Sequence, residues 1–174
     1  MLQWPEVVSL GEIGLDHTAP IEERAVQRLV LATPLGLVKT HHVLVLHCRG
    51  VIGAPRITVL SVSGDCTEGA EDPSALFPRL ERGREPMDGT FHFGFTNLVA
   101  KRRITEGHIE ALRNVEPSRL SIETDAPYFA PPGYSISAPW FIGMTAAAVA
   151  RLLGGHVEQV LAVSTRNGVK LYGQ

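Results

Sequence analysis

The chain has 174 residues, 44% of them hydrophobic and 20% charged, with a formal net charge of −2. This is the composition of a folded globular protein and excludes wholesale disorder, while the near-neutral balance excludes a binder that attracts nucleic acid through a global positive field. Two cysteines, Cys48 and Cys66, are too few for a disulfide framework, so a reducing compartment, cytosol or nucleus, is expected, with a lone Cys48–Cys66 bridge as the alternative.

Met1 to Pro5 lacks a basic segment followed by an apolar run, so no signal peptide is expected. No stretch approaches the roughly 20 apolar residues that span a bilayer, and no membrane partner is expected. A single domain over residues 1–174 is the expectation from length.

In chain order, Glu6 to Leu10 reads as a strand that runs into a loop at Gly11 and Gly14. Pro20 to Ala32 is predicted helical: Pro20 suits a first turn, Glu22 and Glu23 suit the positive helix end, and Ala25, Leu29 and Ala32 recur at helical spacing. His42 to Leu46 is a continuous apolar strand covered on both faces, stopped by His47-Cys48-Arg49-Gly50. Ile57 to Val62 is a third β-like run, followed by the loop composition of Ser63 to Pro73. A short helix over Ser74 to Leu80 precedes a charged, Pro/Gly-broken stretch. Thr90 to Phe95 is a strand, Thr105 to Val115 a helix, and Arg119 to Ile122 a strand that ends in the loop Glu123 to Pro127. Ile142 to Leu153 and Val157 to Ser164 are helices separated by Gly154-Gly155. Alternating strands and helices, with about five strands, predict an α/β fold built on a parallel sheet.

Three predicted strand ends carry polar clusters of the metal-ligand type: Gly11-Glu12-Ile13-Gly14-Leu15-Asp16-His17, His47-Cys48-Arg49, and Glu123-Thr124-Asp125-Ala126-Pro127. Taken singly, each has an ordinary explanation. Glu12 could cap a helix, His47 could be a satisfied core histidine, and Asp125 could cap a turn. Together they supply hard oxygen and borderline nitrogen donors from separate strand ends, which is what a hydrolytic metal centre needs. In a parallel barrel such groups gather at the C-terminal ends of the strands.

The wording of these clusters resembles the TatD family of the amidohydrolase superfamily, with its fingerprints G-E-[IT]-G-L-D, H-x-R and E-T-D-x-P-Y. They stand here as Gly11 to Asp16, His47 to Arg49 and Glu123 to Tyr128, in the family's order. Gly94-Phe95-Thr96 resembles the strand before the last, and Asn167 to Gly173 resembles the closing N-x-x-x-L-[FY]-G. The phrasing is similar to that of animal TatD-domain proteins, and the resemblance runs from Leu2 to Gln174, weakest between Gly50 and Gly89. It implies a TIM-like (β/α) barrel and a nuclease that hydrolyses phosphodiester bonds of DNA or RNA, usually from the 3′ end. It also implies one or two divalent cations (Mg²⁺, Mn²⁺ or Zn²⁺). By the same resemblance Glu12 is a bridging metal ligand, His47 a second ligand, and Asp125 a ligand and proton acceptor. Arg49 is placed to touch a substrate phosphate, with a rim salt bridge as the equal alternative.

The family pattern is incomplete in this sequence. The H-x-H-x-D of a first strand is missing, and the chain begins about where a third barrel strand would. A whole (β/α)₈ barrel takes roughly 250 residues, so the expectation is an incomplete barrel lacking roughly the first two βα units. The family's fifth-strand histidine is also missing. Asp65-Cys66-Thr67-Glu68-Gly69 and Asp72 stand nearest to it and read as loop residues. Open sheet edges follow from such a shortfall, and leave pairing with a second copy, a fragmentary origin or poor stability as alternatives. Lys101-Arg102-Arg103 reads as a solvated basic loop, and His41 and His42 lie at the wrong end of their strand for the site. His92 and His108 lack ligand partners at useful spacing, and His17 is placed to line the pocket. Three function classes remain at this point: an active metal-dependent nuclease, a catalytically impaired fragment with a binding role or none of its own, and a single-metal hydrolase of another specificity.

Overall fold

The computed structural model describes residues 4, 6–38, 42–49, 58–62, 91–100 and 104–173. The predicted short helix over Ser74 to Leu80, the residues Asp65, Cys66 and Asp72, His41, and the basic run Lys101-Arg102-Arg103 lie outside the described residues. The fold resolves into two compact units that divide between His92 and Phe93.

In the first unit, β1 (Ser9–Asp16) is followed by α1 (Glu23–Leu35), β2 (Val43–Arg49) and β3 (Thr58–Val62). β1 and β2 are parallel, as the alternation of elements predicts. β3 departs from that prediction, because it pairs antiparallel with β2. The connection between them, residues 50–57, is too short for the dozen or so residues that a parallel crossover needs, so the chain returns beside the strand it has just left. The strand boundaries also differ from the sequence reading. β1 continues through both glycines to Asp16, and β2 continues through His47 to Arg49.

Glycine is required here by close packing rather than as a chain breaker. Gly14 pairs with His47, and a Cβ built on Gly14 would stand 1.8 Å from the His47 carbonyl oxygen. One on Gly11 would stand 2.4 Å from Val45 Cβ. Only a residue without a side chain lets the two backbones approach so closely.

α1 packs Leu31 and Leu35 against Leu15 and Ile13 of β1. It begins three residues later than predicted and runs on through Pro34 to Leu35. Gln27 ties it to the end of the strand: its Oε1 accepts from the Asp16 amide at 2.9 Å, and its Nε2 donates to the Asp16 carbonyl at 3.0 Å. Arg24 donates to the His17 carbonyl at 3.0 Å. The end of β1 is thereby fixed by side chains one helical turn apart.

The second unit begins within β4 (Phe91–Phe95) and continues with α2 (Glu106–Asn114), β5 (Leu120–Ile122), α3 (Ile142–Leu153) and α4 (Val157–Tyr172), with 3₁₀ turns at Asn97–Ala100, Pro117–Arg119 and Pro139–Phe141. β4 and β5 are parallel, Phe93 opposite Leu120 and Phe95 opposite Ile122. The core joins Phe95, Val99, Leu112, Leu120, Val149 and Val160, with small Ala146, Ala148 and Ala150 letting α3 sit close to its neighbours. α3 ends at Gly154, whose φ of +69° suits glycine. α4 runs eight residues beyond the predicted Ser164. Asn167, in its last turns, is buried and donates to the carbonyls of Pro117 at 2.8 Å and Leu120 at 2.7 Å. Leu171 is buried one turn on. Docking of the last two turns thus outweighs the helix-weakening Gly168 between them. Among the described residues no single helix is long and apolar enough to cross a membrane.

Candidate metal centre

Glu12 and His47 reach the same place from adjacent strands. The register of β1 on β2 advances from Leu10 opposite Leu44 to Ile13 opposite Leu46, so β1 holds one extra residue there. Gly11 and Glu12 form this bulge, a device that turns a side chain out of the regular alternation. Glu12 Oε1 lies 3.7 Å from His47 Nδ1, with the two side chains 46% and 42% exposed. Two donors about 2.1 Å from one ion at a tetrahedral angle stand about 3.4 Å apart. The pair therefore matches two ligands of a shared cation, in donor type as in spacing. Among the described residues of the first unit, no further His, Cys, Asp or Glu joins it to make a group of three. Arg49 is the last residue of β2, and its side chain lies outside what the structure describes. His17 follows the end of β1, half-buried beside Arg24.

Asp125 belongs to the second unit, where it follows β5 at the strand's C-terminal end. Its φ is +50°, in the left-handed region that Asp and Asn enter more readily than other side-chain-bearing residues. The Asp125 carbonyl accepts from the Tyr128 amide at 2.7 Å, which closes the turn. Phe129, also at φ +50°, has no such dispensation and records strain on the same turn.

A buried polar cluster that the sequence reading did not single out holds this loop. Asn97 and Thr145 are fully buried, and Ser137 is 4% exposed. Ser137 Oγ donates to the Thr124 carbonyl at 3.0 Å and accepts from Asn97 Nδ2 at 3.4 Å. The Thr145 hydroxyl lies within hydrogen-bond reach of Asn97 Oδ1 and of the Glu123 carbonyl. The Glu123 amide donates to the Phe95 carbonyl at 3.0 Å, and the Ser137 amide to that of Pro127, also at 3.0 Å. The bonds that Asn97 makes to the Ser137 and Thr145 hydroxyls are buried, where such bonds are costly to break. The available signal was a lone Asn after Gly-Phe-Thr and a lone Thr in an alanine-rich helix. Tyr172, at the end of α4, has its pKa raised by burial and, to a smaller degree, by the charge of Glu123.

Comparison with known proteins identifies the family. The family model described as TatD related DNase matches residues 1–173. Human deoxyribonuclease TATDN3 is 29% identical over 173 residues, covering 95% of this chain and 60% of its own length. The 3′-5′ ssDNA/RNA exonuclease TatD of Citrobacter rodentium is 27% identical over 176 residues, covering 97% of this chain and 66% of its own. Among solved structures, the TatD homologue YjjV of Escherichia coli superposes with a TM-score of 0.67 at 18% identity, over 97% of this chain and 64% of that one. The chain thus spans somewhat under two thirds of the length of these relatives. An α/β fold shared with a solved TatD homologue and a match along residues 1–173 lead to one assignment: the chain belongs to the TatD-related DNase family.

Proposed function

We propose that the chain is a metal-dependent phosphodiesterase that cleaves DNA or RNA from the 3′ end, with Glu12 and His47 as metal ligands and Asp125 as ligand and proton acceptor. The observation that carries this reading is the 3.7 Å approach of Glu12 to His47 on neighbouring strands, within a chain that matches the nuclease family over its length. A relative named as a 3′-5′ ssDNA/RNA exonuclease supports the polarity and the single-stranded substrate. The same reading takes residues 1–174 as one family domain comprising the later βα units of a TIM-like barrel. Its working place is cytosol or nucleus, and pairing of two copies through open sheet edges belongs to it.

A divalent cation supplies the charge that draws in a phosphodiester oxygen and makes water a better acid. The chain's own residues do the rest. Glu12 and His47 provide one oxygen and one nitrogen donor, and their β1–β2 contact fixes the spacing before any ligand arrives. Asp125, held in its turn by the bonds around Thr124 and Pro127, offers a carboxylate oxygen to take the proton from the attacking water. Arg49 is assigned to a substrate phosphate.

Titration of the purified protein with Mn²⁺, read by calorimetry, tests the ligand pair. Glu12→Gln and His47→Ala are each expected to weaken binding at least about tenfold. Release of nucleotides from 3′-ended single strands should fall with the same variants and with Asp125→Asn. Equal release by wild type and all three variants would refute the nuclease reading for this chain.

A further inference from the structure

The loop that carries Asp125 continues into the largest group of exposed aromatic side chains among the described residues. Tyr128 is 69% exposed, Tyr134 54%, Ile136 59% and Trp140 78%. Large apolar residues gathered at a surface next to a candidate site mark a place where something binds. Two of them share a neighbour. Phe141 is half-buried, and its ring lies 4.4 Å from that of Tyr134 and 6.0 Å from that of Trp140, tilted 52° and 58°. The segment is tied to the Asp125 turn by the two Ser137 bonds, from its amide to the Pro127 carbonyl and from its hydroxyl to the Thr124 carbonyl. The Trp140 ring is thus a mostly uncovered apolar face, in contact with Phe141, on a segment bonded to the turn of the candidate proton acceptor.

The sequence around it narrows the ligand. No Asp, Glu, Lys or Arg occurs between Asp125 and Arg151, so the segment brings no charged side chain of its own to a phosphate. What it offers is π-faces. Aromatic rings presented in this way hold the bases of single-stranded nucleic acid by stacking, with little sequence preference.

We propose that Trp140, with Tyr134 and braced by Phe141, is a stacking platform for nucleobases of a single-stranded substrate whose scissile end lies toward Asp125. The proposal rests on the nuclease reading for its choice of ligand. It adds the part of that ligand which the metal site does not touch.

The test uses the full chain in a Trp4→Phe background, which leaves Trp140 as the sole indole, with a twelve-residue oligothymidylate and an abasic oligomer of equal length, both in EDTA. Oligothymidylate should quench Trp140 emission. By anisotropy, Tyr134→Ala should weaken oligothymidylate binding, and Trp140→Ala, made in wild type, should weaken it about tenfold. Trp140→Phe should recover most of that loss. The abasic oligomer should bind wild type and Trp140→Ala equally weakly. The tenfold penalty should also persist between low and high salt, because stacking releases no counterions. Equal binding of the two oligomers to wild type, or oligothymidylate binding unchanged in Trp140→Ala, would overturn the platform. So would self-association that Trp140→Ala abolishes while oligonucleotide binding stays the same. Hydrolysis of bis(p-nitrophenyl) phosphate by wild type with Mn²⁺ separates the two readings, since that substrate carries no base. Hydrolysis without quenching sinks the platform alone, and quenching without hydrolysis of any phosphodiester sinks the nuclease reading and leaves the platform standing.

Discussion

Glu12 and His47 stand on a surface close to half exposed, brought together by two backbones that touch where glycine leaves room. Asp125 follows a strand whose outgoing carbonyls are captured by the hydroxyls of Ser137 and Thr145, both bonded in turn to buried Asn97. The first pair is positioned by what is missing from Gly11 and Gly14, and the second group by what Asn97 adds. A backbone contact tolerates no added atom but involves few partners. A buried hydrogen-bond network tolerates small adjustments in shape, yet loses several interactions when one member goes. The two halves of the candidate chemistry should accordingly fail in different ways.

The largest effect is expected from Gly14→Ala, since its new Cβ would overlap the His47 carbonyl. A loss of about 3 kcal/mol or more in urea-induced unfolding is expected, with metal binding lost at the same time. If Gly14→Ala were as stable as wild type, the backbone contact could not be what sets the Glu12–His47 spacing.

Asn97→Ala comes next. It leaves the hydroxyls of Ser137 and Thr145 without their shared partner, for a loss of about 2 kcal/mol. Its turnover of single strands should fall further than its Mn²⁺ affinity, because Glu12 and His47 keep their contact and only the Asp125 turn loosens. A parallel fall in both would show that the two regions are not held independently.

Gly168→Ala provides the opposite sign. Gly168 lies inside α4, and an added Cβ there meets nothing within 4 Å. Greater helix propensity should raise stability by about 0.5–1 kcal/mol, in contrast with Gly14. Together the two substitutions separate glycines required by contact from one that is only tolerated.

The smallest effect is a pH dependence. Burial first, and Glu123 second, raise the pKa of Tyr172 above 10.0. The native state therefore keeps a proton that the unfolded chain gives up earlier. The resulting stabilisation is complete below the unfolded value near 10 and is lost as pH rises through the raised one. Tyr172→Phe should flatten the fall in unfolding midpoint as pH rises above about 10. An unchanged slope would place the Tyr172 hydroxyl in water rather than against the helix-end packing.

Much of this arrangement was legible in the sequence, because the chemistry is concentrated in short runs. β4, α2, β5 and α3 were recovered nearly to the residue, since each is bounded by Gly, Pro or a change of period. β1 extends past its sequence boundary because Gly11 and Gly14, which by composition open a loop, stay within the strand. A glycine demanded by a neighbouring strand looks the same, in one dimension, as a glycine that ends a strand. α4 was cut short at Ser164 for a related reason: what holds its last turns is Asn167 reaching carbonyls near residue 120, a contact almost fifty positions away. The antiparallel β3 follows from a connection length that was visible in the sequence, but the expectation of a parallel sheet outweighed it. The Asn97–Thr145–Ser137 cluster was out of reach for the same reason as Asn167. Its members lie 40 and 48 positions apart, and none belongs to a recognisable run.

The left-handed backbone at Asp125 changes how loss of chemistry should be read at that position. Asparagine can occupy such a conformation as easily as aspartate, and glycine more easily still, whereas alanine pays about 1–2 kcal/mol for it. Selection for the turn alone would thus hold residue 125 to Asp, Asn or Gly, whether or not water is ever deprotonated there. An aspartate at 125 is consistent with activity without being independent witness to it. Glu12, on an exposed bulge and at φ outside the left-handed region, meets no such backbone demand, so its carboxylate beside His47 is the more informative pointer to chemistry at this surface.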